Sequence, residues 1–266
     1  MNATFSIRRA VDEDVSGIIR LIDDAAGWLR GQGTSQWAEP WPNEAEREKR
    51  IRRGIELSRE TGDDECSPAV TWLVLDGDRP VATTYITRIP NRELWTPEEL
   101  EVRAVYLHRL VIDRAYAGMR LGERLVDWAG EWGRLAWGAE EMRIDVWADN
   151  LRLHRYYRKI GFLYRDPERV QPDGTVRPDP RLPMDVYPSG VVFDRALKPL
   201  ESWPDVRGFR LETGAAPDIG PGAGPDTGPG AGSGARQHAR PHVGSGAGFA
   251  AGIRPGAGSV PATPPA

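Results

Sequence analysis

The chain has 266 residues, enough for one large domain or two small ones, and its 39% of apolar residues falls short of what a wholly globular chain carries. Part of it is therefore expected to lie outside any core. With 35 Lys and Arg against 39 Asp and Glu, the net charge of −4 gives no global attraction to nucleic acid or an anionic membrane, and any anion site must be local.

The start, Met1-Asn2-Ala3-Thr4-Phe5, has no basic segment followed by an apolar stretch, and nowhere do about 18 apolar residues run together. A soluble cytoplasmic protein with no membrane partner is expected. Phe5, Ile7 and Arg9 alternate with polar neighbours as a first strand. Ile18, Ile19, Leu21, Ile22, Ala25, Ala26 and Leu29 then recur at helical spacing, with Asp12 or Asp14 near the start as caps. Gly31, Gly33 and the run Trp37-Ala38-Glu39-Pro40-Trp41-Pro42 break that helix, and Asn43 can cap a charged second helix to about Ser58. The single cysteine, Cys66, excludes an internal disulfide and makes a Cys-based zinc site implausible; among Asp63, Asp64 and Glu65 its thiolate is disfavoured. No metal is implied.

Val70 to Asp76 and Val81 to Ile89, joined by Gly77-Asp78-Arg79-Pro80, read as a hairpin. After an irregular stretch holding Trp95 and Pro97 comes a strand over Val105 to Asp113, then a Gly-punctuated turn, then a helix marked by Leu121, Leu125, Val126, Trp128, Ala129 and Trp132. Met142 to Trp147 is the next strand and Leu151 to Ile160 the next helix, stopped by Gly161, with Phe162 opening another strand. A proline-rich insertion, Pro167 to Pro188, precedes a final strand at Val191 to Leu197. The order β-α-α-β-β-β-α-β-α-β-β predicts a mixed α/β fold, of α+β type, with helices on both faces of a mixed central sheet of about six to seven strands. The domain is expected to span residues 1–200.

Residues 201–266 are expected to be a disordered Gly/Pro/Ala-rich tail. From Thr213 to Ala266 there are 14 Gly and 9 Pro among 54 residues, and Pro-Gly-Ala-Gly recurs at Pro221, Pro229 and Pro255. Such a segment buries too little apolar surface to offset its chain entropy.

The turn Ala117-Gly118-Met119-Arg120-Leu121-Gly122 connects a strand to a helix, and a helix N-terminus offers unpaired N–H groups and the positive end of its dipole. Gly118 and Gly122 allow close approach of a phosphate. No Gly-x-Gly-x-x-Gly is present, which argues against a Rossmann site.

The run from His108 through Asp113, Gly118 and Gly122 to Leu125 resembles motif A of the GNAT superfamily of acyl-CoA N-acyltransferases, and Asp149-Asn150 through Tyr157 to Gly161-Phe162 resembles its motif B. The element order matches that family as well. The resemblance implies a GNAT-like fold and acetyl-CoA as co-substrate, held by Leu110, Val111 and Ile112, by Ala117, Gly118, Met119, Arg120, Leu121, Gly122 and Glu123, and by Asn150, which contacts the cofactor or caps the next helix. Within the family's Gln/Arg-x-x-Gly-x-Gly/Ala signature, Ala117 and Arg120 depart and Gly122 fits. Backbone donors remain, and Arg120 itself can pair with a phosphate.

Acyl transfer to an amine needs a neutral amine, stabilisation of developing charge and a proton for the departing thiolate. The resemblance assigns the proton donor to Tyr157. For a base, His108 is one candidate, since an imidazole can take a proton at neutral pH and alternation sets it with Tyr106 and Leu110 on one strand face. Asp145, on the neighbouring strand, is the other. His154 reads as a surface residue. Gln36, Trp37, Glu39 and Trp41 fall where related enzymes bind the acceptor, and Trp95 is a further candidate. The expected activity is N-acetyl transfer to a small-molecule or peptide amine by a monomer or homodimer. The alternatives are a catalytically silent domain that binds acyl-CoA or a protein, and a purely structural interaction protein.

Overall fold

A computed structural model describes residues 5–38, 43–59, 67–177, 179, 190–200 and 209–211. The folded unit falls within Met1–Asp226. Cys66, Glu39, Trp41, the later part of the proline-rich insertion (178 and 180–188) and the Gly/Pro tail lie outside the described residues.

Eight strands form one sheet: β1 (Phe5–Arg9), β2 (Ala69–Asp76), β3 (Arg79–Thr87), β4 (Ala104–Ile112), β5 (Glu141–Val146), β6 (Leu163–Tyr164), β7 (Val191–Ala196) and β8 (Phe209–Leu211). Their order is β6-β7-β5-β4-β3-β2-β1-β8, with β4–β5 and β1–β8 parallel and the other neighbours antiparallel. The mixed sheet is as expected, with one strand more. The extra strand, β8, comes from beyond residue 200 and pairs Phe209 with Phe5.

Helices α1 (Val15–Leu29) and α2 (Glu44–Leu57) cover one face. Their apolar stripes, led by Ile18, Ile22, Ile51 and Ile55, meet Leu73, Leu75 and Val111. The α2 start follows the side-chain capping rule, since Asn43 Oδ1 accepts from Glu46 N at 3.0 Å. A one-turn helix, α3 (Pro97–Leu100), opens with Thr96 and Glu99 capping each other inside the stretch expected to be irregular.

Helix α4 (Leu121–Trp137) crosses the opposite face. Leu125, Val126, Trp128, Ala129 and Trp132 are buried there against Phe5, Ile7, Trp72, Val74 and Val105. It ends at Gly138, whose φ of 62° suits a residue without Cβ. The short α5 (Leu151–Lys159) follows β5 and carries Tyr157 into the same core beside Phe162 and Phe193. Among the described residues, no helix is long and apolar enough to cross a membrane.

Candidate active site

The site begins where two parallel strands part. The β4–β5 ladder holds Ala104, Val105 and Tyr106 against Glu141, Met142 and Arg143 and ends there, while β5 continues through Ile144, Asp145 and Val146 paired with β7. From Leu107 onward β4 has no β5 partner, so its edge faces a gap. On its other side β4 is bulged. Tyr85 pairs with His108 and Thr83 with Val111, which leaves Arg109 and Leu110 opposite the single residue Thr84. Arg109 takes up the extra residue in the left-handed region, at φ 50°. Its guanidinium lies 4.8 Å from the centre of the Tyr85 ring, and loss of hydration lowers its pKa to about 10.

The bulge overturns one expectation drawn from strict alternation. Tyr106 packs with Trp95 and Val192, but Leu110 lies with Val105 and Leu107 against the α4-side core. An inserted residue shifts the period of two, so Leu110 does not share a face with Tyr106 and His108.

A cleft of about 910 Å³ opens between α1, the end of β4, the start of α4 and α5. Its wall includes Leu110, Val111 and Ile112, then Ala117, Gly118, Arg120, Leu121, Gly122 and Glu123, then Asn150 and Tyr157. Gln36 and Trp37 border it from the α1–α2 connection. Met119 is apart: it is 43% exposed and lines a smaller groove beside Arg124 and Asp127. Trp95 is buried under the Arg143 guanidinium, 4.5 Å from its ring centre, and is core.

Helix α4 starts at Arg120, whose side chain has no acceptor and caps none of the first-turn N–H groups. Arg120 has φ 56° and is bound at both ends of its fork to Glu123, Nε to Oε2 at 2.8 Å and Nη2 to Oε1 at 2.5 Å. The residue expected as a phosphate partner is therefore tied to a carboxylate of the next turn. Gly122 has a steric reason: an added Cβ would lie 2.7 Å from the Tyr156 hydroxyl.

Asn150 caps α5, accepting from Leu153 N at 2.9 Å, and donates from Nδ2 to Gln36 Oε1 at 2.7 Å. Next to it, Asp149 accepts from Thr34 Oγ1 at 2.7 Å and from Ser35 N and Oγ, both at 2.6 Å. Burial alone would raise the Asp149 pKa, but these bonds outweigh it and hold the carboxyl below the usual range. The folded value being the lower one, this stabilisation is complete above the ordinary aspartate pKa near ~4 and fades as pH falls through the folded value. Asp149→Ala is therefore expected to cost on the order of 1 kcal/mol at pH 7, allowing for solvent screening of an exposed group. The gap from wild type closes in acid below about pH 4, which urea melts across pH would read.

Tyr157 is buried, and that burial, then the neighbouring Tyr156 and the Asp145 charge, push its pKa up, so its phenol stays protonated through the neutral range. His108 and Asp145 do not line the cleft, but they meet across the gap between β4 and β5, Nδ1 to Oδ1 at 3.4 Å. The Tyr85 ring lies 5.9 Å from the imidazole. His154 corrects the surface reading: it is buried, with Nε2 2.9 Å from Trp147 O and Nδ1 3.3 Å from the Tyr164 hydroxyl. A carbonyl can only accept, so Nε2 carries the hydrogen, and burial lowers the pKa of this neutral ring.

Sequence reasoning passed over the cleft's cationic and aromatic rim. Arg114 and Arg152 flank the Trp28 ring at 4.0 and 5.4 Å, and Arg152, Tyr156 and Lys159 line the cleft from one side of α5. Their spacing of four and three along a helix was the available signal.

A model of the acetyltransferase (GNAT) family matches residues 23–162. An uncharacterised N-acetyltransferase, YesJ, of Bacillus subtilis (strain 168) is 30% identical over 158 residues, covering 58% of this chain and 79% of that protein. Among solved structures, the PaiA N-acetyltransferase of Thermoplasma acidophilum in complex with coenzyme A aligns at TM-score 0.52 and 17% identity, over 72% of this chain and 98% of that one. A GNAT-family acetyltransferase of Listeria monocytogenes 4b F2365 aligns at TM-score 0.51 and 21% identity, over 73% and 95%.

Proposed function

The chain belongs to the GNAT acetyltransferase family, and from that premise we propose that it moves an acetyl group from acetyl-CoA to a primary amine of a small molecule or peptide. One observation carries the reading: the parted edge of β4, the uncapped start of α4 and the protonated Tyr157 border a single cleft. The similarity to an N-acetyltransferase and the likeness in fold to a protein solved with coenzyme A support it.

The residues present fit this co-substrate. Gly122 puts no side chain of its own at the start of α4, where backbone N–H groups can meet a pyrophosphate, and Arg114, Arg152 and Lys159 supply positive charge on the rim. The unpartnered edge of β4 suits an extended arm laid down as an added strand. When bound, acetyl-CoA supplies an activated acyl carbonyl.

The remaining chemistry belongs to the chain. A backbone N–H at the end of β4 polarises the acyl oxygen, in a gap where a dipole acts more strongly than in water. Tyr157 gives its phenolic proton to the leaving sulfur. His108 takes the proton of the attacking amine, and Asp145, 3.4 Å from Nδ1, orients the ring. Trp37 and Gln36 form the acceptor side of the entrance.

Release of free thiol from acetyl-CoA across a panel of small amines and peptide N-termini tests the proposal. Turnover with any of them is the expected result. Binding of CoA without thiol release for every amine would make the chain a silent acyl-CoA-binding domain, and no binding at millimolar CoA would sink the reading altogether.

A further inference from the structure

We propose that Tyr156 is a cofactor-binding residue whose hydroxyl, packed against Gly122, donates a hydrogen bond to the pyrophosphate of acetyl-CoA bound at the start of α4; this rests on the acetyl-CoA reading above. Tyr156 lines the cleft, and its ring stands edge-on to Tyr157 with centroids 5.4 Å apart. Its hydroxyl oxygen is buried and makes no hydrogen bond among the described residues. A buried phenol ordinarily finds a partner, and leaving one without is costly, so phenylalanine would serve better if only the ring were wanted.

The place of that oxygen identifies the missing partner. It lies 2.7 Å from where a Cβ of Gly122 would stand, at the second residue of α4, in a first turn that the Arg120 side chain does not cap. A phosphate oxygen seated on those N–H groups lies within reach of the phenol. The donor state is secured as well: burial, then the charges of Glu123 and Asp127, push the Tyr156 pKa up, so the hydroxyl keeps its proton at neutral pH. The turn also needs such a donor. Ala117 brings no polar atom, and the Arg120 guanidinium is held by Glu123. Tyr156 reaches the same spot from the opposite wall of the cleft.

Tyr156→Phe removes the oxygen and little else, so the full chain is compared with its variant by calorimetric titration with CoA and by kinetics with acetyl-CoA and with S-acetylpantetheine, which lacks the pyrophosphate. The expected result is a roughly tenfold rise in the Kd for CoA, a matching fall in kcat/KM for acetyl-CoA, and no fall in kcat/KM for S-acetylpantetheine. The free variant should melt no lower than wild type, since an unsatisfied buried hydroxyl is gone. Unchanged CoA affinity in a variant whose parent binds CoA would overturn this inference and leave the acetyl-CoA reading standing. An equal loss with both donors would overturn it too, because the contact would then not be to the pyrophosphate. Failure of the wild-type chain to bind CoA would remove both.

Discussion

Replacing Tyr157 by phenylalanine is expected to lower kcat about 10²-fold, the smaller end of what a positioned general acid contributes, while the Kd for CoA changes by less than about twofold. The ring is held on three sides: Phe162 at 5.4 Å, Phe193 at 6.4 Å and Tyr156 at 5.4 Å. Phenylalanine keeps those contacts, so the variant should fold and melt as wild type, and the loss can be assigned to the oxygen. Burial and nearby negative charge favour the neutral phenol, so proton donation is available throughout the neutral range. A pH profile separates the two candidate proton carriers. Tyr157→Phe should lower the whole profile without changing its shape, whereas loss of the proposed base in His108→Gln should change the shape. Unchanged turnover in Tyr157→Phe would take that residue out of the mechanism.

The Tyr156 and Tyr157 pair shows how much of the site could be read from residues alone. The place of Tyr157 on the cleft wall was legible because its spacing from Asn150 and Gly161 is a pattern in sequence. The place of Tyr156 was not, because its oxygen meets the first turn of α4, 34 residues earlier in the chain. The strands and helices were legible for the same kind of reason: alternation in β1, helical spacing in α1 and α4, and a capping Asn43 are local signals. The bulge at Arg109 left no such mark, since no glycine announces its positive φ and the cation–π contact with Tyr85 comes from β3. Strand β8 was missed because three residues are too few to show alternation, and its partner β1 lies two hundred residues away. His154 looked like surface because its neighbours on α5 are charged, yet Tyr164 and the Trp147 carbonyl satisfy both of its nitrogens inside.

The other large effect is on stability. Trp132→Ala is expected to cost about 3–5 kcal/mol, the range for emptying a buried aromatic site. Trp132 is fully buried, with Trp72 of β2 at 5.5 Å and Trp137 at 4.9 Å, both edge to face, while Trp128 meets Trp72 at 4.3 Å. These rings fasten the middle and end of α4 to the centre of the sheet, and edge-to-face pairs add to the area they bury. The Arg9 guanidinium lies 5.9 Å from the same indole, so the cavity left by alanine would also border a charged group. In a folded unit of some two hundred residues each kcal/mol moves the melting temperature by roughly 2–4 °C, so a drop near ~10 °C is expected. The consequence for function follows from geometry. Leu121 and Leu125, which seat the start of α4, belong to the same buried cluster as Trp132, so slack at one end reaches the turn carrying Gly122. A CoA molecule held in the proposed site would bind only the folded form, so saturating ligand should recover part of the lost melting temperature in Trp132→Ala. Trp132→Phe, which keeps an aromatic ring against Trp72, should cost clearly less than alanine. Equal losses for the two would mean that the contact between rings does not hold the helix.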